Sequence, residues 1–125
     1  MRLLPLAIAV VALGACASAP HGEFYGKNLA PSSSDMHDLA VVWVDGQLVF
    51  DTSVKPVVVG ANITQELEPG RHELQVRAIA PGKPPLMPIA LTVEPCTRYN
   101  FAAKDTVSGL IAVAMGETPI PGCKR

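Results

Sequence analysis

The stretch LAVVWVDGQLVF, residues 39–50, decides the fold. Its first half is a run of β-branched, aromatic and aliphatic residues with the length of a strand. Asp45-Gly46 follows, and a two-residue Asp-Gly loop between apolar runs indicates a tight hairpin because both positions favour positive φ. The stretch therefore predicts two antiparallel strands joined by a two-residue turn.

A second alternating segment lies at 71–80, where Leu74, Val76 and Ala78 fall on one face and polar residues on the other. It follows Glu68-Pro69-Gly70, in which proline presets φ at the second turn position and glycine takes positive φ at the third. This pattern is typical of a strand that is buried on one side and enters from a tight turn.

Segment 61–68 also alternates, with Ile63 and Leu67 as candidates for the inner face. Three further segments, 86–95, 98–104 and 107–114, bring the total to about seven strands at a spacing of roughly 8–12 residues, which is typical of a β-sandwich. Segment 107–114 also fits a helical period, but it is short and contains Gly109, so a strand is favoured. Segment 54–60 contains Pro56, which favours an edge strand or a loop. We predict an all-β chain with a single antiparallel β-sandwich over 38–125.

Composition agrees with that fold and excludes some partners. The chain has 12 prolines and 10 glycines in 125 residues, which suits short elements and frequent turns better than a helical bundle. Its formal net charge is −1. A nucleic-acid-binding protein would need a basic face, so no nucleic-acid partner is expected.

The N-terminus has the features of a bacterial export signal. An apolar run of about 11 residues is too short to span a bilayer, which needs about 20, and has the length of a signal-peptide core. Leu13-Gly14-Ala15-Cys16 then resembles the lipobox of bacterial lipoproteins. The resemblance implies a signal peptide over 1–15 and a Cys16 acylated on its sulfur and on its new amine, with palmitate among the expected acyl groups. The alternative is an ordinary secretory signal cut after Ala17 or Ala19.

Residues 16–37 lack a sustained period and are rich in Pro, Gly and Ser, which predicts a lipidated, flexible tether. Phe24 and Tyr25 are candidates for a first short strand docked on the domain. No aspartate follows the cysteine, and by resemblance to the enterobacterial sorting rule this favours the outer membrane. The expected location is the cell envelope, with the domain facing the periplasm. His21 and His37 are interpreted as solvated side chains.

Part of the domain resembles the PEGA-type β-sandwich of bacterial envelope proteins. The resemblance rests on Val44-Asp45-Gly46-Gln47, on Leu67-Glu68-Pro69-Gly70, and on the alternation from His72 to Val76. It covers roughly 39–93 and departs from the family at Asp51-Thr52-Ser53, where a Thr-Pro usually follows the hairpin. The C-terminal part resembles small envelope lipoproteins of unknown function, which implies no activity.

The chain has three cysteines. If Cys16 carries lipid, Cys96 and Cys123 remain, and an even remainder in an exported protein indicates a disulfide. A zinc site normally needs four ligands, and no histidine lies near this pair in sequence. We therefore expect a Cys96–Cys123 disulfide and no metal.

No catalytic motif is recognisable, and no cofactor is expected. Asp45 and Glu68 could serve as the two acids of a glycosidase, but each has a structural reason to lie in a turn. His72 is interpreted as a surface residue at a strand end. Trp43 is either a core residue of the sandwich or an exposed platform for a sugar ring or partner. Arg98 and Tyr99 are the other candidates for such a platform, and Arg98 is expected to pack over an aromatic ring.

These observations predict a non-enzymatic envelope lipoprotein that is anchored in the membrane by its lipid and binds another envelope protein through a strand edge or loop tips. The alternative is a carbohydrate- or peptidoglycan-binding module, which would display an aromatic platform near Trp43 or Tyr99. A hydrolase with an unrecognised site is a third, weaker interpretation.

Overall fold

The computed structural model describes residues 20–30, 34–50 and 62–124. The predicted signal peptide, Cys16 and segment 54–60 lie outside these residues. The described residues form strands only, and within them no helix is long and apolar enough to cross a membrane. The strands are β1 (Gly22–Tyr25), β2 (Met36–His37), β3 (Leu39–Val44), β4 (Gln47–Leu48), β5 (Thr64–Leu67), β6 (Gly70–Ala78), β7 (Leu86–Val93), β8 (Thr97–Thr106) and β9 (Gly109–Pro119).

The strands form two sheets, which confirms the predicted all-β sandwich. Sheet A runs β5-β1-β8-β9, with β2 beside the C-terminal part of β8, and sheet B runs β4-β3-β6-β7. Neighbouring strands are antiparallel with one exception: β1 and β8 are parallel, with Phe24 opposite Tyr99. The predicted antiparallel sandwich therefore contains one parallel pair. The two strands lie more than 70 residues apart in sequence, so no tight hairpin dictates their relative direction.

The predicted turns form as the sequence indicates. Asp45 and Gly46 both have positive φ, at 49° and 82°, and Val44 pairs with Gln47 across them. Gly70, where the β5–β6 turn ends and β6 begins, has a φ of 122°. Segment 107–114 is the β8–β9 turn and the start of β9, so the strand interpretation is confirmed over the helix.

One hydrophobic core joins the two sheets. Leu74 and Val76 of β6 and Leu39 and Val41 of β3 are buried from the side of sheet B. Phe24 of β1 is buried from the side of sheet A, where its ring stacks on that of Phe101 at 5.3 Å between centroids. Burying such side chains contributes roughly 1.5–3 kcal/mol each, so this cluster supplies most of the drive for the sheets to pack.

Strand β1 lies within the segment that the sequence predicted to be a tether over 16–37. It occupies the middle of sheet A between β5 and β8, and a glycine lies at each end: Gly22 is its first residue and Gly26 follows its last. A Cβ on Gly22 would lie 2.4 Å from the Val93 side chain, and one on Gly26 would lie 2.0 Å from the Leu39 carbonyl oxygen. The sandwich therefore begins at Gly22 rather than at residue 38, because Phe24 supplies a core side chain that no later residue replaces.

The predicted disulfide between Cys96 and Cys123 is present, with 5.5 Å between the Cα atoms and a sequence separation of 27. It ties the turn before β8 to the tail after β9. The Ile120 N–H donates to the Cys96 carbonyl at 3.0 Å, so a backbone hydrogen bond supports the same junction. The disulfide thereby closes the open end of the long β8–β9 hairpin.

Candidate functional site

Trp43 faces outward from sheet B, and a β-bulge is the reason. Simple alternation from Leu39 and Val41 would send Trp43 into the core. The register of β3 against β6 shifts between Val41, which pairs with Val76, and Trp43, which pairs with Gln75. The extra residue, Val42, reverses the alternation. Trp43 therefore lies on the outer face while Val44 packs against the core, so the core alternative for Trp43 is wrong.

Around Trp43 the outer face of sheet B combines an indole ring with polar groups. A row crosses all four strands of the sheet, from Leu48 through Trp43 and Gln75 to Pro88. Glu73 lies beside the row. An open depression of about 460 Å³ on this face is lined by Trp43, Gly46, Glu73, Gln75 and Pro88. We call the surface formed by Trp43, Leu48, Glu73, Gln75 and Pro88 the Trp43 face.

Arg98 and Tyr99 do not form a platform together, because successive residues of a strand point to opposite faces. Tyr99 points into the core, is 4% exposed, and accepts a hydrogen bond from the Glu94 N–H at 2.7 Å. Its expected role as an exposed platform is therefore wrong. Arg98 points outward, and its guanidinium lies over the Tyr25 ring at 4.7 Å, as expected of a packing role on an aromatic ring.

The partner of Arg98 comes from β1, which lies in the predicted tether and confirms Phe24 and Tyr25 as parts of a short docked strand. The Arg98 Nε donates to the Glu23 carboxylate at 2.5 Å, and the Glu23 side chain is only 11% exposed. Next to them, the Asn100 amide donates to the Gly116 carbonyl at 3.1 Å. These contacts hold β1, β8 and β9 together on the outer face of sheet A. Alternation in β1 could have revealed Glu23 and Tyr25 once Phe24 was placed in the core.

The other candidate surface is the free side of β9. Strand β9 pairs with β8 along one side, and within the described part of the chain no strand pairs with its other side. Residues 110–115 of β9 carry neither a charge nor a proline, and Ile111 is 46% exposed. We call this unpaired side of Gly109–Pro119 the β9 edge.

The other outer strands differ from β9 in ways that discourage pairing. β4 has two residues, and β5 has four, one of which is the charged Glu66. β7 has eight residues but contains Pro88, which has no N–H to donate. Native proteins protect exposed sheet edges with such devices. Among the described strands, β9 therefore combines the greatest length with an unprotected apolar centre.

Asp45, His72 and the chain at Glu68 meet at one end of the sandwich, where they connect two turns. The His72 Nδ1 lies 2.6 Å from an Asp45 carboxylate oxygen, and its Nε2 lies 2.7 Å from the Glu68 carbonyl oxygen. The other Asp45 oxygen accepts the Glu73 N–H at 2.8 Å. His72 therefore joins the β3–β4 turn to the β5–β6 turn and is more than a strand-end surface residue.

This geometry favours the charged forms of both side chains. Burial lowers the pKa of His72, but its hydrogen bonds to Asp45 and to the Glu68 carbonyl outweigh burial and raise the pKa above the ordinary value of 6.5. The Glu73 N–H, followed by the His72 hydrogen bond, lowers the pKa of Asp45 below 3.8. Only a protonated imidazole donates from both nitrogens, so the junction is strongest as an ion pair.

In the described residues, no group of three or more His, Cys, Asp or Glu side chains could hold a metal ion. His37 pairs with the exposed Asp105 at 2.9 Å, and His21 is exposed. Cys16, the predicted lipidation site, is outside the described residues. The structure therefore offers two candidate surfaces, the Trp43 face on sheet B and the β9 edge on sheet A.

Comparison with protein-family models, with curated proteins and with solved structures finds no match to this chain.

The His72 junction predicts a pH-dependent stability. Because the pKa of His72 is raised in the folded state, its stabilisation is complete below about pH 6.5 and is lost as the pH rises through the folded-state pKa. Asp45 stays ionised over this range. Thermal unfolding followed by circular dichroism should show a melting temperature that falls from pH 6 to about pH 8, and His72→Gln should lower the melting temperature at pH 6 and flatten its pH dependence.

The matched control is His21→Gln, because His21 is an exposed histidine at the same end of the sandwich. This variant should keep the pH dependence of the parent chain. If His72→Gln and the parent showed the same slope between pH 6 and 8, the junction would not carry the effect.

Proposed function

We propose that this chain is a non-enzymatic lipoprotein of the bacterial cell envelope. In this proposal the Cys16 lipid anchors it in the outer membrane, the sandwich faces the periplasm, and another envelope protein binds to the β9 edge. The proposal rests mainly on the β9 edge. It belongs to an 11-residue strand that is unpaired on one side among the described residues and has an uncharged centre. A partner that adds an extended segment there would satisfy its free N–H and C=O groups.

The position of β1 supports a domain held close to its anchor. Five residues, 17–21, separate Cys16 from Gly22, where the sandwich begins. A fully extended chain advances about 3.3–3.6 Å per residue, so Gly22 would lie no more than about 20 Å from the lipidated cysteine. Two or three acyl chains, at about 0.8 kcal/mol per buried methylene, would make such an anchor durable. The short tether would then keep the sandwich close to the membrane surface.

A non-enzymatic role is supported by how the titratable groups are used. Asp45 and His72, the acid and the histidine brought closest together near Glu68, are engaged in joining two turns. Glu23 pairs with Arg98 on the outer face of sheet A. These groups hold the fold together, which fits a protein that acts by binding.

The anchor is tested by Cys16→Ser, examined by labelling with palmitate and by fractionation of the cells. We expect the variant to lose the label and to move from the outer-membrane fraction to the soluble periplasmic fraction. Ser18→Ala is the matched control and should keep both label and location. If Cys16→Ser stays with the outer membrane, the proposed anchor is wrong.

The binding role of the β9 edge is tested by Val113→Lys, which puts a charge at the centre of the exposed strand. Cross-linking in the intact envelope, followed by mass spectrometry, should identify an envelope protein joined to the parent chain and lost from this variant. Leu29→Lys is the control, since Leu29 is 50% exposed and lies away from β9 in a loop. Equal cross-linking by both variants would contradict the proposal.

A second candidate function is glycan binding, and the outward position of Trp43 favours it. A half-buried indole on the outer face, beside the Gln75 amide and the Glu73 carboxylate, offers a ring for stacking and polar groups for sugar hydroxyls. Peptidoglycan fragments are the ligand that the proposed location suggests.

Trp43 is the only tryptophan, so its fluorescence reports on this face alone. If the face binds glycan, soluble peptidoglycan fragments should change that fluorescence, and Gln75→Ala should weaken the response at least several-fold. Val113→Lys is the control and should respond like the parent. An unchanged spectrum at saturating fragment, together with no co-sedimentation with peptidoglycan, would exclude this candidate.

A further inference from the structure

We infer that the occupant of the β9 edge is a second copy of this chain, paired antiparallel to form a two-fold symmetric dimer. This inference rests on the proposed function, because it names the envelope protein that the edge binds. Three features support the dimer: the direction of the free backbone groups of β9, the side chains that the pairing brings together, and the absence of a further edge suited to pairing.

Backbone direction identifies which groups are free. The two-residue turn 107–108 is closed by the pair Thr106 and Gly109, and pairs along an antiparallel hairpin alternate between hydrogen-bonded and non-hydrogen-bonded. Asp105 donates its N–H to the Asp35 carbonyl on the side away from β9. Its partner Leu110 therefore points its N–H and C=O toward the free side.

The same orientation of the backbone N–H and C=O groups recurs at every second residue of β9 up to the bulge at Met115. Ala112 and Ala114 lie opposite Ala103 and Phe101, which alternate in step with Asp105. Leu110, Ala112 and Ala114 therefore present their backbone donors and acceptors to the β9 edge. Two such strands satisfy each other if Ala112 pairs with Ala112 of the second copy and Leu110 pairs with Ala114 at both ends.

Side chains fit this register. On the outer face, Ile111 of one copy lies beside Val113 of the other, and the pair occurs twice by symmetry. Cross-strand pairs of β-branched residues stabilise antiparallel sheets. The only charged residue of β9, Glu117, lies outside the paired centre. Antiparallel pairing sends the two Glu117 carboxylates to opposite ends, so like charges do not meet.

The two-fold pairing leaves no β9 edge free to bind a third copy. A two-fold contact uses the β9 edge of both copies and leaves β5 and the two-residue β2 as the outer strands of sheet A at each end. β5 is short and carries Glu66, so further addition is disfavoured. The expected assembly is therefore a dimer and not a fibre.

The dimer is compatible with two lipid anchors in one membrane. Antiparallel pairing places the two Gly22 ends at opposite ends of the joined sheet. Because each lies within about 20 Å of its own Cys16, both anchors reach the same bilayer when the strands run along its surface. The short tether thereby constrains how the dimer lies on the membrane.

The test uses the chain exported without its lipid, as Cys16→Ser, so that Cys96 and Cys123 still form their disulfide. Ala112→Cys should form an interchain disulfide in this background, since opposed residues of a hydrogen-bonded pair have Cα atoms about 5.5 Å apart, within the range for a disulfide. Val107→Cys is the collision control, because Val107 is fully exposed at the hairpin tip and outside the paired region. It should give little covalent dimer, and peptide mapping should locate the link at position 112.

Light scattering across a concentration series supplies the second measurement. The parent should form a dimer as concentration rises, and Val113→Lys should shift the midpoint at least tenfold while its melting temperature stays close to that of Leu29→Lys. Monomer at every concentration, equal cross-linking of Ala112→Cys and Val107→Cys, or a dimer that Val113→Lys leaves intact would overturn the inference.

The two proposals fail separately. The chain could be monomeric while Val113→Lys still abolishes its cross-linking to a different envelope protein. That result would overturn the dimer and leave the proposed function standing. A monomeric chain with no partner that depends on β9 would overturn both.

Discussion

The structure depends on β1, which lies between β5 and β8 in sheet A and places the Phe24 ring in the core. That ring is fully buried and stacks on Phe101, and its strand joins β5 to β8. Gly22 and Gly26 have no room for a side chain, so the backbone of β1 approaches its neighbours closely at both ends. Truncating a buried phenylalanine typically costs about 3–5 kcal/mol, a large share of the roughly 5–15 kcal/mol that stabilises a domain. Without β1, sheet A would lose its centre.

Several functional consequences follow from this position of β1. Because β1 carries Glu23 and Tyr25 on its outer face, it holds Arg98 of β8 and so supports the strand on which β9 rests. Because β1 starts at Gly22, the proposed anchor at Cys16 would hold the sandwich near the membrane rather than on a long flexible linker. The same residues thus organise the core, support the β9 edge and would set the length of the proposed tether.

Two bulges decide what the surface presents. The extra residue Val42 turns Trp43 outward, and the extra residue Met115 interrupts the ladder of β9 against β8, which resumes at Gly116. Each bulge changes which face receives a side chain without changing the composition of the strand. The Trp43 face and the centre of the β9 edge therefore depend on single-residue shifts in register. Both surfaces are suited to binding, one through a ring and polar groups and the other through backbone hydrogen bonds.

The sequence by itself determined the all-β class, the Asp45-Gly46 hairpin, the alternation of β6 and the Cys96–Cys123 pairing. These follow from local φ preferences, from period-two burial and from the parity of cysteines. Only the tertiary structure decided the place of β1, whose four residues are too few for a periodic signal and which pairs with strands far away in sequence. It also decided the direction of Trp43 and the burial of Tyr99, because a bulge and the packing of two sheets are set by contacts between strands. A local pattern carries no record of those contacts.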